Sequence, residues 1–190
     1  MIRGMKELGA YIARTREQRG FRTQTAFAEA IREDVEAAKF VVVVRNPWGF
    51  VRSGMRRQYY LNHPWDSGRL RPDPQHPDYE RWKQMSRFEK VCWLWNETYA
   101  RIGEFVTTLP REKYHIIHFE ELIKDETVTA ELFDFLGLEG FDSETVRQVL
   151  GKKLNRQQLG EFKKPDKWSA KEHEILWSIC RDAADKLGLV

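Results

Sequence analysis

Arg45 closes the apolar run "KFVVVV", Ser53 follows eight positions later, and Arg56 and Arg57 lie three and four positions beyond Ser53. An arginine presents a planar fork of N–H donors and a serine adds a hydroxyl, a combination suited to the oxygens of a phosphate or sulfate. Between them stand Asn46 and Pro47, a pair that fits the N-cap and first turn of a helix. Ligands of open α/β sheets sit beyond the carboxyl ends of the strands, where the unpaired N–H groups of the next helix also point. Ser53 stands about two turns into that helix, within reach of a long arginine laid along it. A plainer reading stays open: Arg-Asn-Pro after a strand starts any helix, and Ser53 is then an incidental small residue. A second basic tract carries Lys152, Lys153, Arg156, Lys163, Lys164 and Lys167 against Glu161 and Asp166, and a solvated loop is its ordinary interpretation.

These groups need a frame. Residues 3–19 and about 24–37 read as helices, the second with Phe27, Ile31, Val35 and Ala38 on one stripe. "KFVVVV" is short and β-branched, which predicts a strand buried on both faces in a helix-covered parallel sheet. The helix opened by Asn46 and Pro47 is expected to run to about residue 61. Residues 62–79 hold four prolines and a glycine and read as a long surface loop. Phe88, Cys92, Trp95, Tyr99, Ile102, Val106 and Leu109 recur at three- and four-residue steps, predicting a helix over about 86–109. "KYHIIHF", 113–119, predicts a second strand. Helices follow over 127–137, stopped by Gly137, and over about 143–151. The last helix starts at Ser169 with Glu172 three residues on, a capping box, and ends at Gly188. Alternating strands and helices argue for one α/β domain over residues 1–190. Two strands make a short sheet with exposed edges, open to pairing with a second copy of the chain.

Composition narrows the class. The net charge is +3, too small to argue for nucleic acid, and no aromatic–basic stacking platform accompanies it. Residues 1–72 hold 14 Lys and Arg against 7 Asp and Glu, whereas the remainder holds 18 against 22, so the basic excess lies around Arg45. Cys92 and Cys180 fall inside apolar helical patterns and read as reduced core residues of a cytoplasmic protein. No apolar run approaches the roughly 18 residues of a membrane span.

"VVVVRNPWGFVRS" resembles the 3′-phosphate-binding element of sulfotransferases that use 3′-phosphoadenosine 5′-phosphosulfate (PAPS). In that family a hydrophobic strand ends in Arg, an Asn/Asp-Pro pair commonly follows, and a Ser stands eight residues after the Arg. Arg45 and Ser53 match both positions. "YHIIHFEELIKDETVTAELFDFLGL" is similar to the family's second strand, acidic pair and following helix, with Phe119 where Tyr is usual. "KWSAKEHEILWSICRDAADKLGL" is similar to its C-terminal helix, and "GRLRPDPQHPDYERWKQMSRFEKVCWLW" to a segment of bacterial members. The resemblance implies the P-loop-NTPase-like sulfotransferase fold, present as its C-terminal part, with a short parallel sheet and flanking helices. It implies PAPS as co-substrate, adenosine 3′,5′-bisphosphate as product, no metal, and a carbohydrate, lipid or small-molecule acceptor. It also implies that Arg45 and Ser53 hold the 3′-phosphate, while a basic loop before Trp168 closes over it. Arg156, Lys163 and Lys164 are the candidates in that loop, although the family's Arg-Lys-Gly spacing is not reproduced.

The family's glycine-rich loop for the 5′-phosphosulfate has no counterpart: neither Gly-x-x-Gly-Lys nor Lys-x-Gly-Thr occurs in the sequence. No catalytic base is assignable. His63 and His76 fall in the proline-rich loop, His115 and His118 on the second strand and His173 in the last helix, and each reads as structural or solvated. Trp65, Tyr79, Trp82 and Trp93 are available to stack on an acceptor sugar, Trp93 and Trp95 also fitting a core. The expectation is therefore a chain truncated before its phosphate loop or a natural remnant. Two functions follow, a PAPS-dependent sulfotransferase or a non-catalytic nucleotide-binding or protein-interaction module.

Overall fold

The computed structural model describes residues 24–150 and 160–189; the expected helix over 3–19 and Arg156 lie outside them. The chain runs α1 (Gln24–Asp34), β1 (Phe40–Val44), α2 (Pro47–Arg56), α3 (Tyr79–Gln84), α4 (Arg87–Thr107), β2 (Tyr114–His118), α5 (Phe119–Leu122), α6 (Glu126–Leu136), α7 (Ser143–Leu150) and α8 (Ala170–Lys186). Short 3₁₀ turns occupy Pro64–Gly68, Arg111–Lys113 and Pro165–Lys167.

The two strands pair in parallel, from Phe40 opposite Tyr114 to Val44 opposite His118. Both carboxyl ends therefore finish side by side, which brings Arg45 next to Phe119 and Glu120. Side chains alternate across a sheet, so Val42 and Val44 share one face with Ile116 and His118. Val42 and Val44 are buried in the main core with Val51 and Met55 of α2, Val91, Cys92, Trp95 and Tyr99 of α4, and Leu176 and Cys180 of α8. On the opposite face α6 covers only β2, where Phe135 stacks on His115 at 5.3 Å between ring centroids.

Val41 and Val43 are left 38% and 43% exposed, correcting the expectation of a strand buried on both faces. The reason is placement: among the described residues α6 lies over β2, and nothing lies over the same face of β1. Val35, expected on the apolar stripe of a helix to residue 37, is exposed beyond the end of α1.

Helix α2 starts as its sequence dictates. The Asn46 side chain accepts a hydrogen bond from the Gly49 N–H at 2.6 Å, and Pro47 takes the first turn. It ends at Arg56 and does not reach residue 61. Gln58, Tyr60 and Asn62 adopt positive φ (56°, 60° and 62°), a backbone that cannot continue a right-handed helix. Gly54 lets α2 lie directly on α4, since a Cβ there would stand 2.7 Å from Val91 Cγ1.

The proline-rich loop is more ordered than expected. Asp66, 1% exposed, accepts from Arg69 Nε at 2.7 Å and from the His63 N–H at 3.2 Å, and Tyr60 donates its hydroxyl to the Leu70 carbonyl at 2.6 Å. Short helix α3 starts at the loop's last residue, Tyr79, over a stretch for which the sequence pattern predicts no helix. The predicted capping box of α8 is present, Ser169 Oγ accepting from the Glu172 N–H while the Glu172 carboxylate accepts from the Ser169 N–H at 2.7 Å. Cys92 and Cys180 are buried free thiols. Among the described residues no helix is long and apolar enough to cross a membrane.

Candidate functional site

Arg45 is the first residue past β1, and two aromatic side chains of α4 fix its backbone. Trp95 Nε1 donates to the Arg45 carbonyl at 2.8 Å, and the Arg45 N–H donates to Tyr99 Oη at 2.9 Å. Tyr99 completes its own valence by donating to the Val43 carbonyl at 3.3 Å. A strand end that would leave backbone groups unpaired is thereby satisfied from the core. Trp95 and Tyr99 stand four residues apart on the apolar stripe of α4, and the sequence marked them as core alone. The available signal was chemical: a buried indole N–H and a buried phenol each need a partner.

The side chain of Arg45 turns along α2. Its Nε would lie 3.3 Å from a Cβ at Gly49, so the absence of a side chain at residue 49 makes room for it. Arg57 is close enough for its charge to act on Arg45. Gly49, Ser53 and Arg57 recur at four-residue steps and form one row on the helix surface. The Arg45 guanidinium contacts the row at its start and feels the charge at its end, which brackets Ser53. The Ser53 hydroxyl makes no hydrogen bond among the described residues and lies on a partly exposed surface.

The guanidinium packs over the Phe119 ring with Cζ 5.0 Å from the centroid. Glu120 Oε1 is 3.9 Å from Arg45 Nε, an ion pair at the limit of contact, while Glu120 Oε2 accepts weakly from the Asn46 N–H at 3.4 Å. Arg45 Nε is buried and has no hydrogen-bond partner. Burial lowers the Arg45 pKa from its ordinary value; Glu120 opposes this and the neighbouring Arg57 adds to it. The arginine keeps its charge at neutral pH regardless. Arg45 thus touches one end of the helix row that holds Ser53, Arg57 stands at the other end, and Glu120 is 3.9 Å from Arg45 Nε. The arrangement can accept a tetrahedral oxyanion, which would satisfy Nε and relieve the repulsion.

Lys163 and Lys164 occupy a different wall. With Arg52, Arg56, Glu161 and Phe162 they line a cavity of about 640 Å³ on the adjacent face of α2. Arg52 and Arg56 belong to the row that starts at Trp48, whose ring packs edge-on against Trp177 of α8 at 5.8 Å. The loop is pinned to α2 by the Gly160 N–H, which donates to the Arg56 carbonyl at 3.0 Å. Trp168 anchors its far end, donating Nε1–H to the Lys163 carbonyl at 3.2 Å and packing against Phe88 at 5.2 Å. Lys163 itself is paired with Glu172 at 2.6 Å. Arg45 therefore lies against Gly49, one turn before Ser53 on α2, whereas Lys163 and Lys164 meet Arg52 and Arg56.

The expected stacking aromatics divide. Trp93 is 2% exposed and donates Nε1–H to Asp78 at 2.9 Å, so of the two readings its sequence left open it takes the core one, under the 62–79 segment. Trp82 is half-buried beneath Arg71 and Lys90, and Tyr79 lies under the Lys83 ammonium at 3.9 Å. Of the histidines, His63 contacts Gln58 at 3.0 Å, His76 accepts from the Asp78 N–H at 3.1 Å, and His173 packs on Trp168 at 5.7 Å.

A family model described as a sulfotransferase domain matches residues 12–165. Among solved structures, the chain is similar to one titled "Sulfotransferase Domain from the Curacin Biosynthetic Pathway". The two are 16% identical, with a TM-score of 0.49 and coverage of 80% of this chain and 54% of that one. The chain thus spans about half the length of that solved domain. No curated protein sequence matches it.

Proposed function

The chain belongs to the sulfotransferase domain family, and from that premise we propose that it anchors a PAPS nucleotide by its 3′-phosphate, for sulfuryl transfer to a hydroxyl or amine of a carbohydrate, lipid or small-molecule acceptor. The observation that carries this reading is the Arg45 side chain. It stands at the carboxyl end of β1, its Nε is buried without a hydrogen-bond partner, and it lies against Gly49, the first member of the helix row Gly49, Ser53 and Arg57, whose last charge it feels. A dianionic phosphate seated there would accept from the guanidinium and from the Ser53 hydroxyl, with Arg57 contributing charge. Lys163, Lys164 and Arg156 would approach the same nucleotide from the loop before Trp168. Bound PAPS would supply the sulfuryl group and a leaving phosphate. The residues named here position that nucleotide and take no part in bond-making.

Titration calorimetry tests the assignment. Adenosine 3′,5′-bisphosphate is expected to bind the wild type, and Arg45→Ala to weaken it by about 1.5–3 kcal/mol, the worth of hydrogen bonds to a charged group. Equal affinities for the two proteins would remove Arg45 from the site. The second reading is a non-catalytic nucleotide-binding or protein-interaction module of the same fold. Sulfuryl transfer from PAPS to a model phenol or sugar, assayed on the same protein, decides between them.

A further inference from the structure

Trp82 of α3 carries two cations on its ring. Lys90 Nζ stands 4.5 Å from the ring centroid and Arg71 Cζ 5.8 Å, both inside the roughly 6 Å reach of a cation–π contact. Such a contact attracts a cation without neutralising it and leaves its N–H donors unused. Among the described residues neither Arg71 nor Lys90 has a carboxylate partner. Asp78, Glu80 and Glu89, the acids nearest to Trp82 and Lys90 in the chain, are committed to Arg81, Lys83 and Ser86. Trp82 Nε1 is itself shielded from water with no hydrogen-bond partner. One ring thus gathers two uncompensated cations and an unsatisfied donor, which an anion would relieve together.

The surrounding residues fix this cluster in place. The Tyr60 ring meets Trp82 edge-on at 5.5 Å and lies 5.9 Å from Arg71. Its hydroxyl donates to the Leu70 carbonyl at 2.6 Å, and Pro72 is buried, so the backbone is held on both sides of Arg71. Tyr60 does this at φ 60°, a left-handed backbone that a tyrosine adopts only when its surroundings require it. Trp93 of α4 meets Trp82 edge-on at 6.4 Å. Burial pushes the Tyr60 pKa up, so its hydroxyl stays neutral and the two cations keep their charge unanswered. Consecutive residues join the cluster to the Arg45 site, Tyr60 packing on Trp82 while Tyr59 acts on the charge of Arg45.

A neutral sugar stacking on Trp82 would have to displace both cations and leave them unpaired, whereas a ligand bearing an anionic group would use them. We propose that Arg71, Lys90 and the Trp82 indole N–H form a subsite that selects an anionic acceptor, one carrying a carboxylate or sulfate group. The inference rests on the sulfotransferase reading only for the role of that ligand as acceptor.

Trp82 reports its own occupancy. In the full chain labelled with nitrogen-15 at tryptophan, its indole N–H is one of seven such NMR resonances and is assigned with Trp82→Phe. The probes are glucuronate and glucose 6-sulfate, one hydroxyl-bearing ring with each anionic group, and glucose with neither. They are titrated at about physiological salt, where weak surface charge is screened. At least one anion is expected to shift the Trp82 resonance to saturation, and glucose at the same concentrations to leave it in place. A response to glucuronate alone assigns a carboxylate as the recognised group, and a response to glucose 6-sulfate alone assigns a sulfate. Arg71→Gln and Lys90→Gln alter exposed or half-exposed side chains and should each weaken the responding probe roughly tenfold. Arg45→Ala should leave it within about twofold, since it lies outside the cluster. No saturable shift with either anion, an equal shift with glucose, or unchanged affinity in Arg71→Gln or Lys90→Gln overturns the proposal. Bisphosphate affinity unchanged by Arg45→Ala sinks the nucleotide reading separately and leaves this subsite standing.

Discussion

Replacing Gly49 by alanine separates the stability of α2 from the function proposed for its first turns. The new Cβ would stand 2.7 Å from Asn46 Oδ1 and 3.3 Å from Arg45 Nε, so both side chains must move. Displacing Asn46 removes the N-cap bond to the residue 49 N–H and costs about 0.5–2 kcal/mol. Against this, alanine is favoured over glycine inside a helix by about 0.8–1 kcal/mol. The two terms nearly cancel, leaving a net change of about 1 kcal/mol or less and a shift in Tm of about 2–4 °C at most for a chain of this size. Arg45 has no such compensation. Pushed from the Gly49–Ser53–Arg57 row, it loses its fork on the phosphate, worth about 1.5–3 kcal/mol, or roughly ten- to a hundredfold in Kd for adenosine 3′,5′-bisphosphate. Thermal melting followed by calorimetry on one preparation reads both quantities. Asn46→Ala is the control, expected to lose the cap while leaving Arg45 in place. A Gly49→Ala protein that melts near wild type and binds the bisphosphate with unchanged affinity refutes the placement of Arg45 along this row.

Other expectations follow from the same contacts. Gly54→Ala drives a methyl into Val91 and the Tyr59 ring, 2.7 and 2.9 Å away, and should cost about 1–3 kcal/mol by urea denaturation without altering the denaturant slope. Tyr99→Phe removes the acceptor of the Arg45 N–H and should destabilise by about 1–3 kcal/mol while weakening bisphosphate binding, both measured on the purified variant. For Asp66, burial would raise the carboxyl, but the Arg69 guanidinium and backbone N–H groups hold it below its ordinary value. The unfolded chain then takes up the proton first, so the stabilisation is full above the unfolded pKa of about 3.9 and is lost as pH falls through the lower folded value. Asp66→Asn should therefore be less stable than wild type at pH 7, by about 1–3 kcal/mol, with the gap narrowing below pH 4. A gap that stays constant from pH 7 to pH 3 would show that the charge of Asp66 contributes nothing.

Local grammar made much of this molecule readable. Four consecutive valines specify a strand, Asn46 and Pro47 a helix start, and Ser169 with Glu172 a capping box, because each depends on residues within one turn. The periodic apolar stripe from Phe88 to Val106 likewise gave α4 to within two residues of its ends. What escaped depended on distant partners. The hydrophobic pattern of β1 cannot report that α6 covers only its neighbour, so Val41 and Val43 read as buried. The left-handed residues Gln58 and Tyr60 carry no glycine to announce them. Arg45 and Ser53 were legible as a spacing along one helix, but the Trp95 and Tyr99 bonds that hold the strand end come from about fifty residues away in the chain. Lys163 and Lys164 were legible as a basic pair in the loop before Trp168. Their company, Arg52 and Arg56, follows only from the Gly160–Arg56 bond and the burial of Trp168.

Recognition of a 3′-phosphate by Arg45 and its row is tested most directly by one calorimetric cycle. Adenosine 3′,5′-bisphosphate and adenosine 5′-monophosphate, which differ by that phosphate alone, are titrated into the wild type and into Arg45→Ala. The wild type is predicted to prefer the bisphosphate by roughly ten- to a hundredfold, the worth of charge-assisted bonds to the extra group, and the variant to lose most of that preference. A wild type that binds both nucleotides equally, or a variant that keeps the full preference, contradicts it.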